Sequence, residues 1–296
     1  MPTESEGFDS ERYRTDLEFI AKPRAPGTPH WRAVQDHCFD VFDRAGLTAT
    51  RQSYGSGVNV LGELRGSTHP DELVLVGAHY DSIPACAGAD DNASGVAAVL
   101  EIARAVAALD AQPARTLLFA AWDEEETGMR GSSAYVKTLR GRRVHAHYDF
   151  EMIGCRSSEA GSQDVPTGFE LLFPEQHVAL RKNAFRGDFI ALVADSLSAE
   201  AAHVLHTEAA HIDLPAHVLL VPDSVRTSPL VADLRRSDHA PFWDRGLPGI
   251  MITDTADFRN PHYHCALGPD AIEDIDMDFA CRVARATLMA ALRMAS

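Results

Sequence analysis

The feature that most constrains this chain is an alternation of short, almost wholly apolar runs with longer stretches of helical periodicity. Apolar runs at 58–64, 73–78, 116–122, 147–153, 189–193, 218–221 and 249–253 predict strands. Before, between and after them, 30–45, 94–109, 132–139, 198–211 and 276–294 predict helices. In the second of these, Val96, Val99, Leu100, Ala103 and Val106 recur at helical spacing. Strands apolar on both faces need cover on both sides, so the pattern implies a buried, largely parallel sheet flanked by helices. Chemistry on such a sheet is expected on loops at the carboxyl ends of its strands.

The breaks at 157–168 and 221–237 are rich in Ser, Pro, Gly and Asp and read as surface loops within one domain covering 1–296. Residues 1–12 are expected to form a flexible N-terminal segment. The opening stretch is acidic and lacks an apolar core, so it does not read as a secretion signal, and no run approaches the ~20 apolar residues of a membrane span. The net charge of −16 disfavours nucleic acid and anionic membranes as partners. The five cysteines are scattered and odd in number, which predicts a reducing, cytoplasmic setting without a disulfide framework. Nothing in the sequence fixes an oligomeric state.

Histidines and carboxylates gather just after the strands. The run 73–78 leads into His79-Tyr80-Asp81, and a Gly/Ala-rich turn then reaches Asp90-Asp91-Asn92. The run 116–122 ends in Asp123-Glu124-Glu125-Glu126, the run 147–153 carries Asp149 and Glu151, and the run 249–253 precedes His262-Tyr263-His264. Mixed imidazole and carboxylate donors suit Zn²⁺, Co²⁺ or Mn²⁺ better than the oxygen-only preference of Ca²⁺ or Mg²⁺. Two ions sharing one carboxylate, with a further acid left free as a base, need about this set. Taken singly, each element has a plainer reading. Asp90–Asn92 could cap a helix, 123–126 could be a solvated acidic loop, and His262 and His264 could share a polar face.

Taken together, the motifs resemble the zinc peptidase family of aminopeptidase Y, bacterial leucine-type aminopeptidases and glutamate carboxypeptidase. The resemblance rests on Gly77-Ala78-His79-Tyr80-Asp81-Ser82, Gly88-Ala89-Asp90-Asp91-Asn92-Ala93-Ser94-Gly95 and Glu125-Glu126-Thr127-Gly128-Met129-Arg130-Gly131-Ser132. It continues through Glu151-Met152-Ile153-Gly154, Ser237-Asp238-His239-Ala240-Pro241-Phe242 and Tyr263-His264, in the family's order.

The resemblance implies a single α/β domain with a mixed, mainly parallel central sheet, and two zinc ions per chain. Asp91 would bridge the ions, with His79 and Glu151 completing one site and Glu126 and His264 the other. Glu125 would be the general base, Asp81 would orient His79, and Tyr263 would stand near the developing oxyanion. Asp238 and His239 would support the pocket. Glu151 stands where the family commonly has Asp, and Asp149 competes with it. The segment Cys265-Ala266-Leu267-Gly268-Pro269-Asp270 departs from the family pattern and keeps His262 as a rival to His264.

The implied activity is hydrolysis of an N-terminal peptide bond in a peptide or small amide with a free amine. The same scaffold also serves carboxypeptidases, small acyl-amino-acid hydrolases and glutaminyl cyclases. Carboxypeptidase action would call on Arg156, Arg235, Arg236 or Arg259 to hold a substrate carboxylate. His203, His206 and His211 read as surface groups, His145 and His147 as structural ones, and Cys155 has no Cys–His motif around it.

Overall fold

The computed structural model describes residues 7–109 and 112–296. Its core is one eight-stranded sheet made of β1 (Thr48–Tyr54), β2 (Gly57–Leu64), β3 (His69–His79), β4 (Arg115–Trp122), β5 (Arg143–Glu151), β6 (Ile190–Ala194), β7 (Ala216–Leu220) and β8 (Ile250–Thr253). The spatial order is β1-β2-β4-β3-β5-β8-β6-β7. The central neighbours β4, β3, β5 and β8 are mutually parallel, while β2 against β4 and β6 against β8 are antiparallel. The single α/β domain and the mixed, mainly parallel sheet expected from the sequence are therefore present.

The helices are α1 (Ser10–Ile20), α2 (Pro29–Arg44), α3 (Gly95–Ala107), α4 (Arg130–Tyr135), α5 (Phe169–Leu172), α6 (Pro174–Lys182), α7 (Ala199–His211), α8 (Ala240–Trp243) and α9 (Met277–Ala295). Thr28 caps α2 by accepting the N–H of Trp31, with Pro29 in the first turn, and Asp276 caps α9 by accepting that of Phe279. One face of the sheet is covered by α1, α2, α3, α7 and α9 through Val76, Val96, Phe119, Phe150 and Phe279. The other face packs Leu75, Trp122, Tyr135 and Phe242 with α4 and α8. α3 packs on the sheet beside α9 with α1 against it, and its apolar residues are buried on every side except near its carboxyl end. None of the described helices is long and apolar enough to cross a membrane.

Three elements differ from the sequence-based expectation. β1 reads Thr-Ala-Thr-Arg-Gln-Ser-Tyr and lies at the sheet edge with alternately exposed side chains, so it carries no apolar signature. α1 begins inside the segment expected to be flexible: Asp9 caps it, Phe8 is buried, and the Asp9 N–H donates to Glu101 at 2.7 Å. Residues 1–6 of that segment lie outside the described residues. Finally, Cys86 and Cys265 form a disulfide across 179 positions, leaving Cys38, Cys155 and Cys281 free. An odd, scattered set still contains a pair when the fold brings two distant loops together.

Candidate active site

Because β3, β4, β5 and β8 run parallel, their carboxyl ends meet on one edge. His79 pairs across the sheet with Trp122, immediately before the acidic run, and Glu151 pairs with Thr253. The intervening connections carry the remaining groups. Gly88 takes a left-handed φ of +56°, and a methyl there would collide with the carbonyl oxygen of Asp91. The turn Ala89–Ser94 that follows is pinned from several sides. Asn92 donates to the Phe150 carbonyl at 2.7 Å and accepts the Met152 N–H at 3.2 Å, while the N–H groups of Asp90 and Asp91 donate to Asp270 at 2.9 and 3.0 Å.

Below this turn lies Arg24, which is fully buried. Its guanidinium donates to the carbonyls of Tyr80 (2.8 Å), Ala87 (2.5 Å), Gly88 (3.0 Å) and Asp91 (3.3 Å). Sequence reasoning missed Arg24 because a lone arginine between two prolines has no local mark separating it from a solvated one. Asp270 and the disulfide were missed for a related reason: each acts on a loop far away in sequence.

The central relationship is made by Asp91. Its Oδ1 lies 3.3 Å from Nε2 of His79 and its Oδ2 lies 3.3 Å from Nε2 of His264. Glu151 Oε2 is 3.5 Å from the same His79 nitrogen, and Glu126 Oε2 is 3.2 Å from the same His264 nitrogen. The structure thus brings together His79, Asp91 and Glu151 on one side and His264, Asp91 and Glu126 on the other. Both ring nitrogens of His79 and Oδ1 of Asp91 are buried without a hydrogen-bond partner. Orphaned buried donors and acceptors are costly, and a cation among them removes that cost. Donor atoms of His79, Asp91 and Glu126 lie within 4.8 Å of one another. The nitrogen and oxygen set fits zinc.

The electrostatics follow from crowding. Burial alone would raise the Asp91 carboxyl, but His264 and His79 hold it below the usual carboxylate range. Burial raises Glu126, with Asp91 adding to it, and burial raises Glu151 against the opposing pull of His79. Asp91 and Glu126 lift His264 to about 10. Carboxylates that draw protons onto imidazoles in this way are equally able to draw a divalent cation.

Glu125 is half-buried beside this cluster. Burial pushes its carboxyl well above the ordinary value; His79 opposes this, and Glu151, Asp238 and Glu126 reinforce it. Asp81 lies 3.4 Å from His79 Nδ1 and accepts the N–H groups of Glu125 and Glu126 at 3.1 and 3.3 Å. The ring of Tyr263 stacks on His264 at 3.8 Å, with the Arg236 guanidinium 5.1 Å from its centroid.

The rival residues point elsewhere. Asp149 accepts the His239 N–H at 2.8 Å, and the Ser237 hydroxyl stands between it and Glu151, 3.0 Å from Asp149 and 2.6 Å from Glu151. His262 faces Asp274 at 2.9 Å. Asp238 accepts the hydroxyl of Ser132, and His239 contacts the Leu234 carbonyl and packs edge-on against Trp243. His203, His206 and His211 are exposed on α7, and His147 is buried against Phe242. The arginines are engaged too: Arg156 with Asp276, Arg235 with Asp244, Arg236 with Asp257, and Arg259 with Gln163 and the Cys155 carbonyl. A cavity opens beside Glu151 and Tyr263, walled by Phe169, Leu180, Phe189, Val193, Leu219 and Met251. No sequence motif marks it, because its walls come from several separate elements.

The family model described as Peptidase family M28 matches residues 59–291. Among curated proteins, the chain is 34% identical over 247 residues to uncharacterized protein YfbL of Escherichia coli (strain K12), covering 76% of this chain and 69% of that protein. It is 37% identical over 242 residues to leupeptin-inactivating enzyme 1 of Streptomyces exfoliatus, covering 79% of this chain but 45% of that enzyme. It is 30% identical over 162 residues to leucine aminopeptidase 2 of Trichophyton rubrum, covering 48% of this chain and 32% of that protein. In fold, the chain is similar to the LapA aminopeptidase of Legionella pneumophila, with a TM-score of 0.73, 17% identity, and 98% of this chain and 71% of that one covered. It is also similar in fold to Porphyromonas gingivalis glutaminyl cyclase, with a TM-score of 0.65, 18% identity, and 97% and 98% covered.

Proposed function

The chain belongs to peptidase family M28, and from that membership we propose that it is a zinc aminopeptidase with two metal positions sharing Asp91. The observation that carries this reading is that the two oxygens of Asp91 face different histidines, each with its own glutamate. His79 and Glu151 would hold one ion with Asp91, and Glu126 and His264 the other. Zinc bound there supplies Lewis acidity to the substrate carbonyl and to the attacking water.

The remaining steps belong to the protein. Glu125, its proton affinity raised by burial and neighbouring carboxylates, takes the proton from the attacking water. It then returns that proton to the nitrogen of the departing amine as the C–N bond breaks. Asp81, through the N–H groups it accepts, keeps Glu125 and Glu126 in register with His79. Tyr263, on a ring steadied by His264 and Arg236, would donate its hydroxyl to the oxygen on which charge develops.

A free N-terminal ammonium suits a site ringed by Glu125, Glu126 and Glu151. A C-terminal carboxylate would need an uncommitted cation; Arg156, Arg235 and Arg236 each face a carboxylate, while Arg259, bonded to the neutral Gln163 and Cys155 carbonyl, is buried and does not line the cavity. The apolar cavity beside Glu151 would take the side chain of the first residue, which favours large aliphatic or aromatic N-termini. The likeness to a glutaminyl cyclase concerns the fold, and the division of Asp91 between two histidines favours two ions over one. A cytoplasmic location loses its basis in the cysteine pattern, since a lasting Cys86–Cys265 bond suits an oxidising compartment.

The test is turnover of free-amine aminoacyl-p-nitroanilides against their N-acetylated counterparts and C-terminal substrates, with and without a chelator. Chelator-sensitive release from the free-amine set alone supports the reading. Release from blocked or C-terminal substrates, or cyclisation of N-terminal glutamine, would overturn it.

A further inference from the structure

Resting on the two-ion reading above, we infer that the Cys86–Cys265 disulfide positions the His264 side of the centre, so that its reduction weakens that metal position selectively. The two histidines are held very differently. His79 ends a central strand and its side chain is 1% exposed. His264 sits in the irregular turn Tyr263–Cys265 with its side chain 37% exposed. His264 and Cys265 have φ values of +52° and +55°, two successive side-chain-bearing residues in the left-handed region. Such a backbone persists only where its surroundings hold it.

Local bonds shape the turn, the N–H groups of Cys265 and Ala266 donating to the His262 and Tyr263 carbonyls at 2.7 and 3.1 Å, and Asn260 ahead of it donates to Asp90 at 2.9 Å; a covalent tie adds to these. Cys265 is bonded to Cys86, which lies in the loop between β3 and the Asp91 turn; the Cα atoms are 5.8 Å apart. Asp270, at the far end of the same segment, accepts the N–H groups of Asp90 and Asp91, and its own N–H faces the Cys265 sulfur at 3.4 Å. The Cys86 loop also reaches Glu126, whose Oε1 accepts the Ile83 N–H at 3.2 Å. The disulfide therefore joins the turn that carries His264 to the loop that contacts Glu126; His79 precedes that loop but is held within β3, and Glu151 ends β5. Cys86 is buried, whereas Cys265 is half-buried and Leu267 beyond it is exposed, so a reductant would approach from the Cys265 side.

With a water-soluble phosphine the step balances. Phosphorus attacks one sulfur, the S–S bond breaks, and water delivers oxygen to phosphorus and protons to both sulfurs, giving a phosphine oxide and two thiols. A cellular dithiol achieves the same two-electron reduction by exchange and is itself oxidised to a disulfide.

The experiment measures zinc per chain in the purified, zinc-loaded protein after equilibration at graded free zinc, in three forms: oxidised, phosphine-reduced with the reductant removed, and Cys86→Ala/Cys265→Ala. The oxidised protein is expected to hold two ions. The other two forms should keep one and bind the second on the order of tenfold to a hundredfold more weakly. Reoxidation with oxidised glutathione should restore the second ion to the reduced chain but not to the double variant. Equal two-ion retention in all three forms overturns the inference, as does equal weakening of both positions. Near-ultraviolet circular dichroism separates local loosening from unfolding of the variant, and the reduced parent provides the comparison if the variant does not fold. A single ion in the oxidised parent would instead defeat the two-ion reading itself. Two ions with no peptidase activity would defeat the aminopeptidase reading and leave the inference standing.

Discussion

The carboxylate of Asp81 accepts the backbone N–H of Glu125 at 3.1 Å while standing 3.4 Å from the ring of His79. One side chain just past the end of β3 thus sets both a histidine and the loop that carries the proposed base. Asp81→Ala is expected to weaken metal retention and lower kcat together, since groups that support a metal-binding histidine are worth roughly tenfold to a hundredfold. Zinc titration and steady-state kinetics on the same preparation check this, and unchanged values for both would remove Asp81 from the site.

Glu125→Gln should behave differently. It keeps the shape and removes the proton acceptor, so kcat should fall by about a hundredfold or more with zinc content unchanged. Metal loss matching the activity loss would assign Glu125 to metal binding instead.

Arg24→Met tests the scaffold below the Asp91 turn. Removing the guanidinium leaves the carbonyls of Tyr80, Ala87, Gly88 and Asp91 without their donor in a buried site. The expected loss is about 3–5 kcal/mol, as for breaking a buried charged network. Urea denaturation measures it, and a loss below about 1 kcal/mol would mean that water replaces the arginine.

The cavity beside Glu151 can be filled from its floor. Ala191 lines it from β6, and Ala191→Phe should cut kcat/KM for leucyl substrates by at least about tenfold while sparing alanyl ones, the usual scale for steric discrimination in an apolar pocket. A uniform loss across substrates would place the first side chain elsewhere.

His147 gives a pH prediction away from the metal positions. Burial, aided by His239, lowers it from 6.5 to about 3. Below pH 6.5 the unfolded chain therefore takes up a proton that the folded chain refuses. Stability is fully present above that pH and falls as pH drops toward 3, by about 1.4 kcal/mol per pH unit for one such group. The ring packs 4.1 Å from Phe242, so His147→Phe should fold and show a shallower acid slope in urea titrations. An unchanged slope would trace acid sensitivity to other groups, such as the similarly lowered His239.

What the sequence made legible has a physical pattern. β3, β4, β5 and β8 are buried on both faces, and their apolar runs announce them. β1 escapes because an edge strand needs no apolar face. His79 and Glu151 end strands and Glu126 lies in the acidic run after β4, so the gathering of such groups at parallel strand ends was legible, while their individual roles came from the motifs of the resembled family. Choosing Glu151 over Asp149 rested on the motif register, and the structure separates the two through their partners: His79 for Glu151, His239 for Asp149. Arg24, Asp270 and the Cys86–Cys265 pair were not legible. They act on the Asp91 turn or its surroundings across 67, 179 and 179 positions, and nothing in local spacing records such a meeting.

The reversal of direction at β8 and β6 has an evolutionary consequence. β3 and β5 carry the acid and imidazole groups, whereas Phe189, Ala191 and Val193, on or next to β6, and Leu219 of β7 wall the cavity. Mutations on β6 and β7 therefore reshape one wall of the cavity from a strand pair that holds none of the proposed ligands, although Glu151 and Tyr263 line its other side. A lineage of such enzymes could drift in diet while its catalytic inheritance stays fixed, and a laboratory library confined to β6 and β7 would explore the same freedom.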